Sequence, residues 1–293
     1  MNKNLPYSFS VPSSWYDGFY KDQGDSVKAS RSFTLLHENK SGKAVLLIHG
    51  FTGYPGELVR PAEDLYEKGF DVFVPRLPGH GTTGKDFIKS RKEDWIGVPE
   101  KALLYLEKEY ESVSVVGHSM GGAIAAILLS RHPEIERGVL CCPGIALKSI
   151  DDKMAKAISF MSHFTKRIKQ KWQSDPRYHM HYEDAPGDDE YLGSQYWSYA
   201  YPKQIISLLG IAKEAEEGLK NIKSPTLVIG AEKDVQTEPR SIYSIAKAIG
   251  EKGEAFMVKD ANHYIYYDIS PEAEEKAVEA TVSFLSRWSL GSL

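Results

Sequence analysis

Short runs of β-branched and other apolar residues alternate with longer amphipathic runs from Lys43 onward, and no other feature of the sequence limits the fold as strongly. Parallel strands need a crossover between them, usually a helix, so this alternation predicts a parallel sheet with helices on its faces. The predicted strands cover residues 43–50, 70–76, 112–118, 137–143, 225–231 and 254–260. The predicted helices cover Glu57–Lys68, Asp94–Tyr110, Ala123–Arg131, Pro239–Ile249 and Glu272–Trp288. The stretch SFTLLHE before Lys43 predicts an additional antiparallel strand.

Residues 145–224 interrupt this alternation, because no strand is evident among them although a βα unit takes only about 30 residues. The later part of the interval is rich in Tyr, Trp and His and is broken by Pro and Gly. These aromatic residues are expected to line an apolar substrate cleft or to form a small core of their own. The 293 residues, 42% of them hydrophobic, suffice for one large core with an insertion. We therefore predict a cap over residues 145–224, inserted between the core segments 1–144 and 225–293.

A serine between two glycines stands at the junction of a predicted strand and a predicted helix. The segment GHSMG, residues 117–121, fits the pattern G-x-S-x-G and has a β-branched run before it and a helical run after it. In this motif the serine occupies a strained turn, and the small flanking residues relieve crowding there. The turn also directs the first N–H groups of the helix at the point where an oxyanion develops in acyl transfer. Ser119 is therefore the predicted nucleophile, and the Met120 N–H is a predicted oxyanion donor.

A serine hydroxyl becomes an effective nucleophile when a base takes its proton and an acid orients that base. Asp234 follows the predicted strand PTLVIGA, and His263 follows the next predicted strand. The chain order serine, aspartate, histidine is the order that an α/β-hydrolase requires. Other acids near these strands stay open as alternatives: Glu232, Glu238, Asp260 and Asp268.

Two further expectations concern the residues around the predicted triad. Phe51 directly follows His-Gly after the first predicted parallel strand, so its backbone N–H is the predicted second oxyanion donor. Three other histidines adjoin glycines in predicted turns, where packing or hydrogen-bonding roles are expected: His49, His80 and His118.

Composition argues against several classes of function. Lys and Arg number 36 and Asp and Glu number 40, with the two signs interspersed, so neither nucleic acid nor an anionic membrane is an expected partner. No apolar run approaches the ~18 residues of a membrane span, which predicts a chain with no stable membrane anchor. The adjacent Cys141 and Cys142 are expected to be reduced thiols, as suits a cytoplasmic protein. His179 and His181 lack a third ligand at suitable spacing, so we predict no metal and no cofactor.

Six short motifs lie along the chain outside the cap: HGFTG (49–53), PRLPGHG (75–81), DW (94–95), GHSMGG (117–122), GAEKD (230–234) and NH (262–263). Together they resemble the motifs of bacterial monoacylglycerol lipases and related carboxylesterases, and the resemblance covers the chain from about Lys43 to its end apart from the cap. It implies an α/β-hydrolase fold, with a mostly parallel eight-stranded sheet flanked by helices and an inserted cap. It also implies the same five site residues: Ser119, Asp234, His263, Phe51 and Met120.

Two features depart from the family pattern. In such lipases we expect leucine at the position of His118, and a cap shorter than residues 145–224. The function implied is two-step acyl transfer from a small-molecule ester, either a monoacylglycerol or another small-to-medium acyl ester. Two alternatives stay open: hydrolysis of an amide, thioester or carbon–carbon bond by the same triad, and a non-catalytic binding protein of this fold.

Overall fold

The structure is a computed structural model that describes residues 2, 4–11, 26–148, 150, 152–173 and 187–287 of the chain. Its strands are β1 (Tyr7–Ser8), β2 (Phe33–Leu35), β3 (Lys43–Ile48), β4 (Asp71–Val74), β5 (Ser112–His118), β6 (Gly138–Cys141), β7 (Ile168–Lys169), β8 (Tyr199–Ala200), β9 (Thr226–Ala231) and β10 (Gly253–Val258). Its helices are α1 (Val59–Glu67), α2 (Gly84–Phe87), α3 (Lys92–Glu109), α4 (Met120–Arg131), α5 (Asp152–Met161), α6 (Asp188–Tyr196), α7 (Pro202–Gly218), α8 (Ser241–Ile249) and α9 (Pro271–Leu285).

Eight of the strands form one sheet in the order β1-β2-β4-β3-β5-β6-β9-β10. The pairs β1–β2 and β2–β4 are antiparallel, and the pairs from β4 to β10 are parallel. The predicted mostly parallel eight-stranded sheet is thus confirmed, as is the antiparallel strand before Lys43. The two-residue β1 was not predicted, because two residues cannot display an alternating pattern.

Helices cover both faces of this sheet, so its central strands are buried on both sides. Alternate residues of β3 face opposite sides of the sheet. Leu46 and Ile48 belong to a core with α3, α4, α7 and α8. Val45 and Leu47 join a second core with α1 and α9. This arrangement explains why the strands read as continuous apolar runs. It also places the C-terminal ends of the parallel strands, and the loops that follow them, at one edge of the sheet.

Residues 145–224 differ from the prediction in one respect: they contain the short antiparallel pair β7–β8. The expectation of no strand there was wrong, since pairing of two residues leaves no periodic signal. The helix α7 packs against α3 and α4, and Glu214 forms ion pairs with Lys92 and Arg131. The proposed division at residues 145 and 224 therefore places in the cap a helix that lies on the core. The predicted end of the last helix, Trp288, lies outside the described residues.

Candidate active site

Ser119 lies in the turn between β5 and α4, as the G-x-S-x-G motif predicts. Its backbone has φ 54° and ψ −120°, a left-handed conformation that L-residues rarely adopt. The flanking glycines allow close backbone approach. A Cβ at Gly117 would lie 2.0 Å from the Gly121 carbonyl oxygen, and one at Gly121 would lie 2.0 Å from the Ile48 carbonyl oxygen. The two glycines are therefore required by contacts of α4 with β5 and β3.

A hydrogen-bonded chain joins Ser119, His263 and Asp234. The Ser119 hydroxyl lies 2.9 Å from His263 Nε2, and His263 Nδ1 lies 2.7 Å from Asp234 Oδ2. An ionised carboxylate only accepts, so Nδ1 carries the proton and Nε2 is free to accept the serine proton. His263 and Asp234 are buried, whereas Ser119 is partly exposed. The geometry is that of a nucleophile, a base and an orienting acid.

Asp234 is held by three further hydrogen bonds. Its Oδ1 accepts from the backbone N–H groups of Gln236 and Thr237 at 2.7 and 2.9 Å, and its Oδ2 accepts from the Thr237 hydroxyl at 2.8 Å. Burial raises the pKa of Asp234, but the hydrogen bond to His263, the charge of His263 and the bonds from Thr237 outweigh burial and hold that pKa below its usual value. Asp234 is therefore ionised at neutral pH.

Three of the four rival acids have other side-chain contacts in the structure. Asp260 forms an exposed ion pair with Lys233 at 2.8 Å, and Glu232 accepts from the Asp260 backbone N–H. Asp268 accepts from the backbone N–H groups of Asn262 and Ser270. Asp234 is the acid that contacts His263 Nδ1.

The two predicted oxyanion donors lie in segments that adjoin Ser119. Met120 is the first residue of α4, where backbone N–H groups have no partner within the helix. Phe51 follows Gly50, at which a Cβ would lie 3.1 Å from the Ser119 Cβ. The loop after β3 thus passes directly beside the serine.

Glu57 and His118 form a second buried acid–histidine pair beside the triad, 3.1 Å apart. Sequence reasoning assigned His118 a packing or hydrogen-bonding role and did not single out Glu57. A signal was present: His118 is the position at which leucine is expected in similar lipases. Its partner is 61 residues away in sequence, so only the folded chain identifies it.

Aromatic residues of the segment 145–224, the predicted cap, meet aromatic residues of the predicted core in a seam around Phe87. Tyr196 and Tyr201 contact Phe87 at centroid distances of 5.5 and 5.0 Å, and Phe51 and Trp95 contact it from the core side. Tyr196 and Tyr201 are buried, so they join cap to core and do not form an isolated cap core. His80 also packs against Phe87, and burial lowers the pKa of His80 to about 3, so this imidazole is neutral.

Within the described residues, two groups of side chains bring three possible metal ligands together. One group consists of Cys142, Asp234 and His263; the other consists of Glu107, His132 and Glu134. The first group shares two members with the hydrogen-bonded chain at Ser119. His179 and His181 lie outside the described residues.

A cavity of about 720 Å³ near β7 is lined by Trp172, Ser198 and their neighbours and not by Ser119, His263 or Asp234. Of the helices that the structure describes, none is both long and apolar enough to cross a membrane.

Comparison with known families matches residues 39–270 to the Hydrolase_4 family, described as serine aminopeptidase, S33. This match spans well over half of the chain. The chain belongs to this family. It is accordingly an α/β-hydrolase, which confirms the predicted resemblance and the predicted fold.

Similar curated proteins include two bacterial hydrolases. A thermostable monoacylglycerol lipase of Bacillus sp. (strain H-257) is 40% identical over 92 residues, which are 31% of this chain and 36% of that protein. The chain thus aligns with only about a third of that relative's length. A carboxylesterase of Bacillus subtilis (strain 168) is 25% identical over 203 residues, which are 68% of this chain and 76% of that protein.

Similar solved structures include a metagenome-derived lipolytic enzyme, from work on LipS and LipT, with TM-score 0.73 and 23% identity over 89% of this chain and 98% of that one. The monoacylglycerol lipase of Paleococcus ferrophilus has TM-score 0.65 and 21% identity over 83% of this chain and 93% of that one. At these identities the structural matches establish the α/β-hydrolase fold.

Proposed function

We propose that this chain is a serine hydrolase that cleaves carboxylic esters through an acyl-enzyme intermediate. The hydrogen-bonded chain from the Ser119 hydroxyl through His263 to Asp234, with distances of 2.9 and 2.7 Å, is the observation that carries the proposal. The partly exposed serine and the adjacent α4 N-terminus support it further.

In the proposed first step, Ser119 Oγ attacks the ester carbonyl carbon while its proton passes to His263 Nε2. The carbonyl oxygen becomes an oxyanion that accepts hydrogen bonds from the N–H groups of Met120 and Phe51. As the intermediate collapses, His263 donates its proton to the leaving alcohol and the acyl group stays on Ser119. Water then attacks the acyl-enzyme, with His263 again taking the proton, and the acid leaves with the serine restored.

The substrates that we propose are monoacylglycerols or other small-to-medium acyl esters. Support comes from the relatives named as a monoacylglycerol lipase and a carboxylesterase. Phe51 is only partly buried, packs on Phe87 and directly follows Gly50 beside Ser119. Its ring supplies apolar surface close to the serine, which suits an acyl chain better than a charged group.

Amide hydrolysis is the second candidate, because the family is described as a serine aminopeptidase. Such an enzyme needs an acid near Ser119 to bind a substrate ammonium group. Glu57 is buried there, but it already pairs with His118 and accepts from the Gly50 N–H. Because these contacts occupy the Glu57 carboxylate, it is poorly placed to bind a substrate ammonium group, which favours esters over N-terminal amino acid amides.

The test is hydrolysis of a panel by the wild type and by Ser119→Ala. The panel contains p-nitrophenyl esters from short to long acyl chains, 1-monoacylglycerols and amino acid p-nitroanilides. We expect the wild type to cleave esters and Ser119→Ala to lose on the order of 10⁴-fold or more in kcat. Ser130→Ala, at the opposite end of α4, is the matched control and should retain wild-type activity.

Mass spectrometry tests the intermediate directly. A short pulse with a slowly hydrolysed ester should add one acyl mass to the wild type and none to Ser119→Ala. Cleavage of anilides without cleavage of esters would replace the ester assignment with the amide one. Wild-type turnover by Ser119→Ala would reject the proposed nucleophile.

A further inference from the structure

The buried pair of Glu57 and His118 lies at the junction of three separate parts of the proposed catalytic site. His118 is the last residue of β5 and directly precedes Ser119. Glu57 lies in the short 3-10 turn Pro55–Leu58, which follows the loop of Phe51. Their side chains are only 2% and 3% exposed. Burial of an acid and a histidine carries a large desolvation cost, which is offset only when the polar atoms of both side chains are hydrogen-bonded.

Each member of the pair binds the backbone of a different catalytic segment. Glu57 Oε1 accepts from the Gly50 N–H at 2.5 Å, one residue before the proposed oxyanion donor Phe51. A Cβ at Gly53 would lie 2.4 Å from Glu57 Oε2, so the carboxylate also fills the inside of this loop. On the other side, His118 Nε2 lies 2.8 Å from the backbone carbonyl oxygen of His263.

These contacts define the protonation state of His118. Its two ring nitrogens face a carboxylate oxygen and a carbonyl oxygen, both of which are acceptors, so both nitrogens must donate. Burial lowers the pKa of His118, but the charge and hydrogen bond of Glu57 and the bond to the His263 carbonyl raise it to about 9. The ring is therefore an imidazolium at neutral pH, with its charge balanced by Glu57.

We propose that Glu57 and His118 are positioning residues: their ion pair holds the Phe51 loop, Ser119 and the His263 backbone in one arrangement, and the nearby His118 charge disfavours a second positive charge on the His263 ring. This inference rests on the proposed function and adds two residues to the five of the predicted site. The pair acts through Gly50 and His263 and does not touch the substrate.

The electrostatic part follows from the groups that surround His263. The rings of His118 and His263 are 5.2 Å apart, so a charged His118 disfavours a second positive charge on His263. Burial lowers the pKa of His263, the Asp234 hydrogen bond raises it, His118 lowers it, and the charges of Asp234 and Glu57 raise it. The net pKa is below the ordinary value of 6.5. Other titratable neighbours of His118 are Cys141, Tyr266, Tyr267 and His49, whose pKa is lowered by burial and further by the charge of His118.

The pKa of His263 sets how kcat/KM changes with pH. The base must be neutral, so kcat/KM rises as pH rises through the pKa of His263 in the free enzyme. In the wild type this rise should be centred below pH 6.5. Removal of the His118 charge raises the pKa of His263, which shifts the rise to higher pH.

Two variants separate positioning from charge. The double variant His118→Leu with Glu57→Gln removes the charges and the donor to His263, yet it keeps an acceptor for Gly50 and leaves no unpaired buried charge. His118→Gln keeps an N–H donor for the His263 carbonyl but carries no charge. The control is His37→Leu, which removes a histidine from a similar pair with buried Asp71, 2.8 Å apart, at the opposite end of the sheet.

The readout is the second-order rate at which a fluorophosphonate labels Ser119 from pH 4.5 to 9, with kcat and KM for a cleaved ester measured in parallel. We expect the double variant to label about tenfold more slowly or worse at pH 8, with kcat reduced and KM little changed. In His118→Gln the rate at pH 8 should return towards wild type. In His118→Gln, which keeps the Glu57 charge, the pKa of the acid limb should rise by about one unit. In the double variant the rise should be smaller, because loss of the Glu57 charge lowers the pKa of His263. His37→Leu should match the wild type throughout.

If the variants fold, label at the wild-type rate and show an unshifted acid limb, the inference is overturned. Labelling of Ser119 in the wild type would in that case still support the proposed function. A wild-type acid limb at or above pH 6.5 would overturn the role of the His118 charge without any variant. If the fluorophosphonate does not label Ser119 in the wild type, both the proposed nucleophile and this inference are rejected.

Discussion

At the scale of single residues, backbone strain lies just beyond the ends of parallel strands, including at the proposed nucleophile. In the part of the chain that the structure describes, four non-glycine residues have positive φ: Thr52, Ser119, Cys142 and Asp260. Each follows the C-terminal end of a parallel strand, namely β3, β5, β6 and β10. Such conformations cost about 1–3 kcal/mol each and persist where surrounding contacts hold them. At Ser119 the N–H donates to the Cys141 carbonyl at 2.9 Å and the carbonyl accepts from Gly144 at 2.8 Å.

The choice of Asp234 over its rivals yields a residue-level prediction. Asp234→Asn should keep the fold but lower kcat by about 10⁴-fold, because an amide can hold His263 in the wrong tautomer. Asp260→Asn is the matched control, since Asp260 forms an exposed ion pair with Lys233, and its kcat should stay near wild type. Steady-state kinetics on the best ester measures both. Equal losses in the two variants would argue against the assignment of Asp234.

At the scale of secondary-structure elements, the position of Ser119 depends on how closely α4 approaches β3 and β5. The first turn of α4 passes so near Ile48 that no side chain fits at residue 121. The same helix is buried along its whole length from Met120 to Leu129, so it cannot shift outward without opening the core. The turn that contains Ser119 is thus held by packing of the helix as well as by its own hydrogen bonds.

Gly121→Ala tests this packing. The added methyl group meets the Ile48 carbonyl oxygen, so we expect a loss of about 1–3 kcal/mol in the free energy of unfolding, together with reduced activity. Gly97→Ala, in the middle of α3 with no atom within 4 Å of the new Cβ, should instead stabilise the protein by about 0.5–1 kcal/mol. Urea unfolding measures both changes. A neutral Gly121→Ala would show that α4 has room to move.

At the scale of the whole molecule, polar contacts join the predicted cap, residues 145–224, to the predicted core across the aromatic seam. The Tyr196 hydroxyl donates to the Gly79 carbonyl at 2.9 Å and accepts from the Thr82 N–H at 2.8 Å. The Tyr54 hydroxyl, from the core, bonds to buried Asp189 of α6. Because these bonds are shielded from water, loss of one partner leaves the other unsatisfied.

Tyr196→Phe should therefore lower the free energy of unfolding by about 1–3 kcal/mol, although the ring that packs on Phe87 is retained. Tyr191→Phe provides the comparison. The Tyr191 hydroxyl donates to the Thr82 carbonyl at 3.1 Å, but this side chain is exposed. That variant should change stability by less than about 0.5 kcal/mol. Chemical denaturation distinguishes the two, and equal effects would mean that burial of the Tyr196 contacts contributes little.

Much of the fold follows from local signals. The apolar runs predicted every parallel strand of the sheet, and their order with the helices predicted the α/β-hydrolase architecture. The ends of β5 and β9 were predicted correctly, whereas the other four parallel strands were predicted to end too late, as with 43–50 against the observed Lys43–Ile48. The residues after these four strands belong to loops. The pairs β1–β2 and β7–β8 involve two-residue strands, which are too short for periodicity to reveal.

The sequence by itself determined which residue types follow which strands, and this was enough to nominate Ser119, Asp234, His263, Phe51 and Met120. It left Glu232, Glu238, Asp260 and Asp268 as rivals, because a linear pattern contains no distances. The tertiary structure decided that Asp234 contacts His263 and that His118 pairs with Glu57. The physical reason is range: strand and helix patterns arise from neighbours along the chain, whereas a buried hydrogen bond joins residues that only the completed sheet brings together.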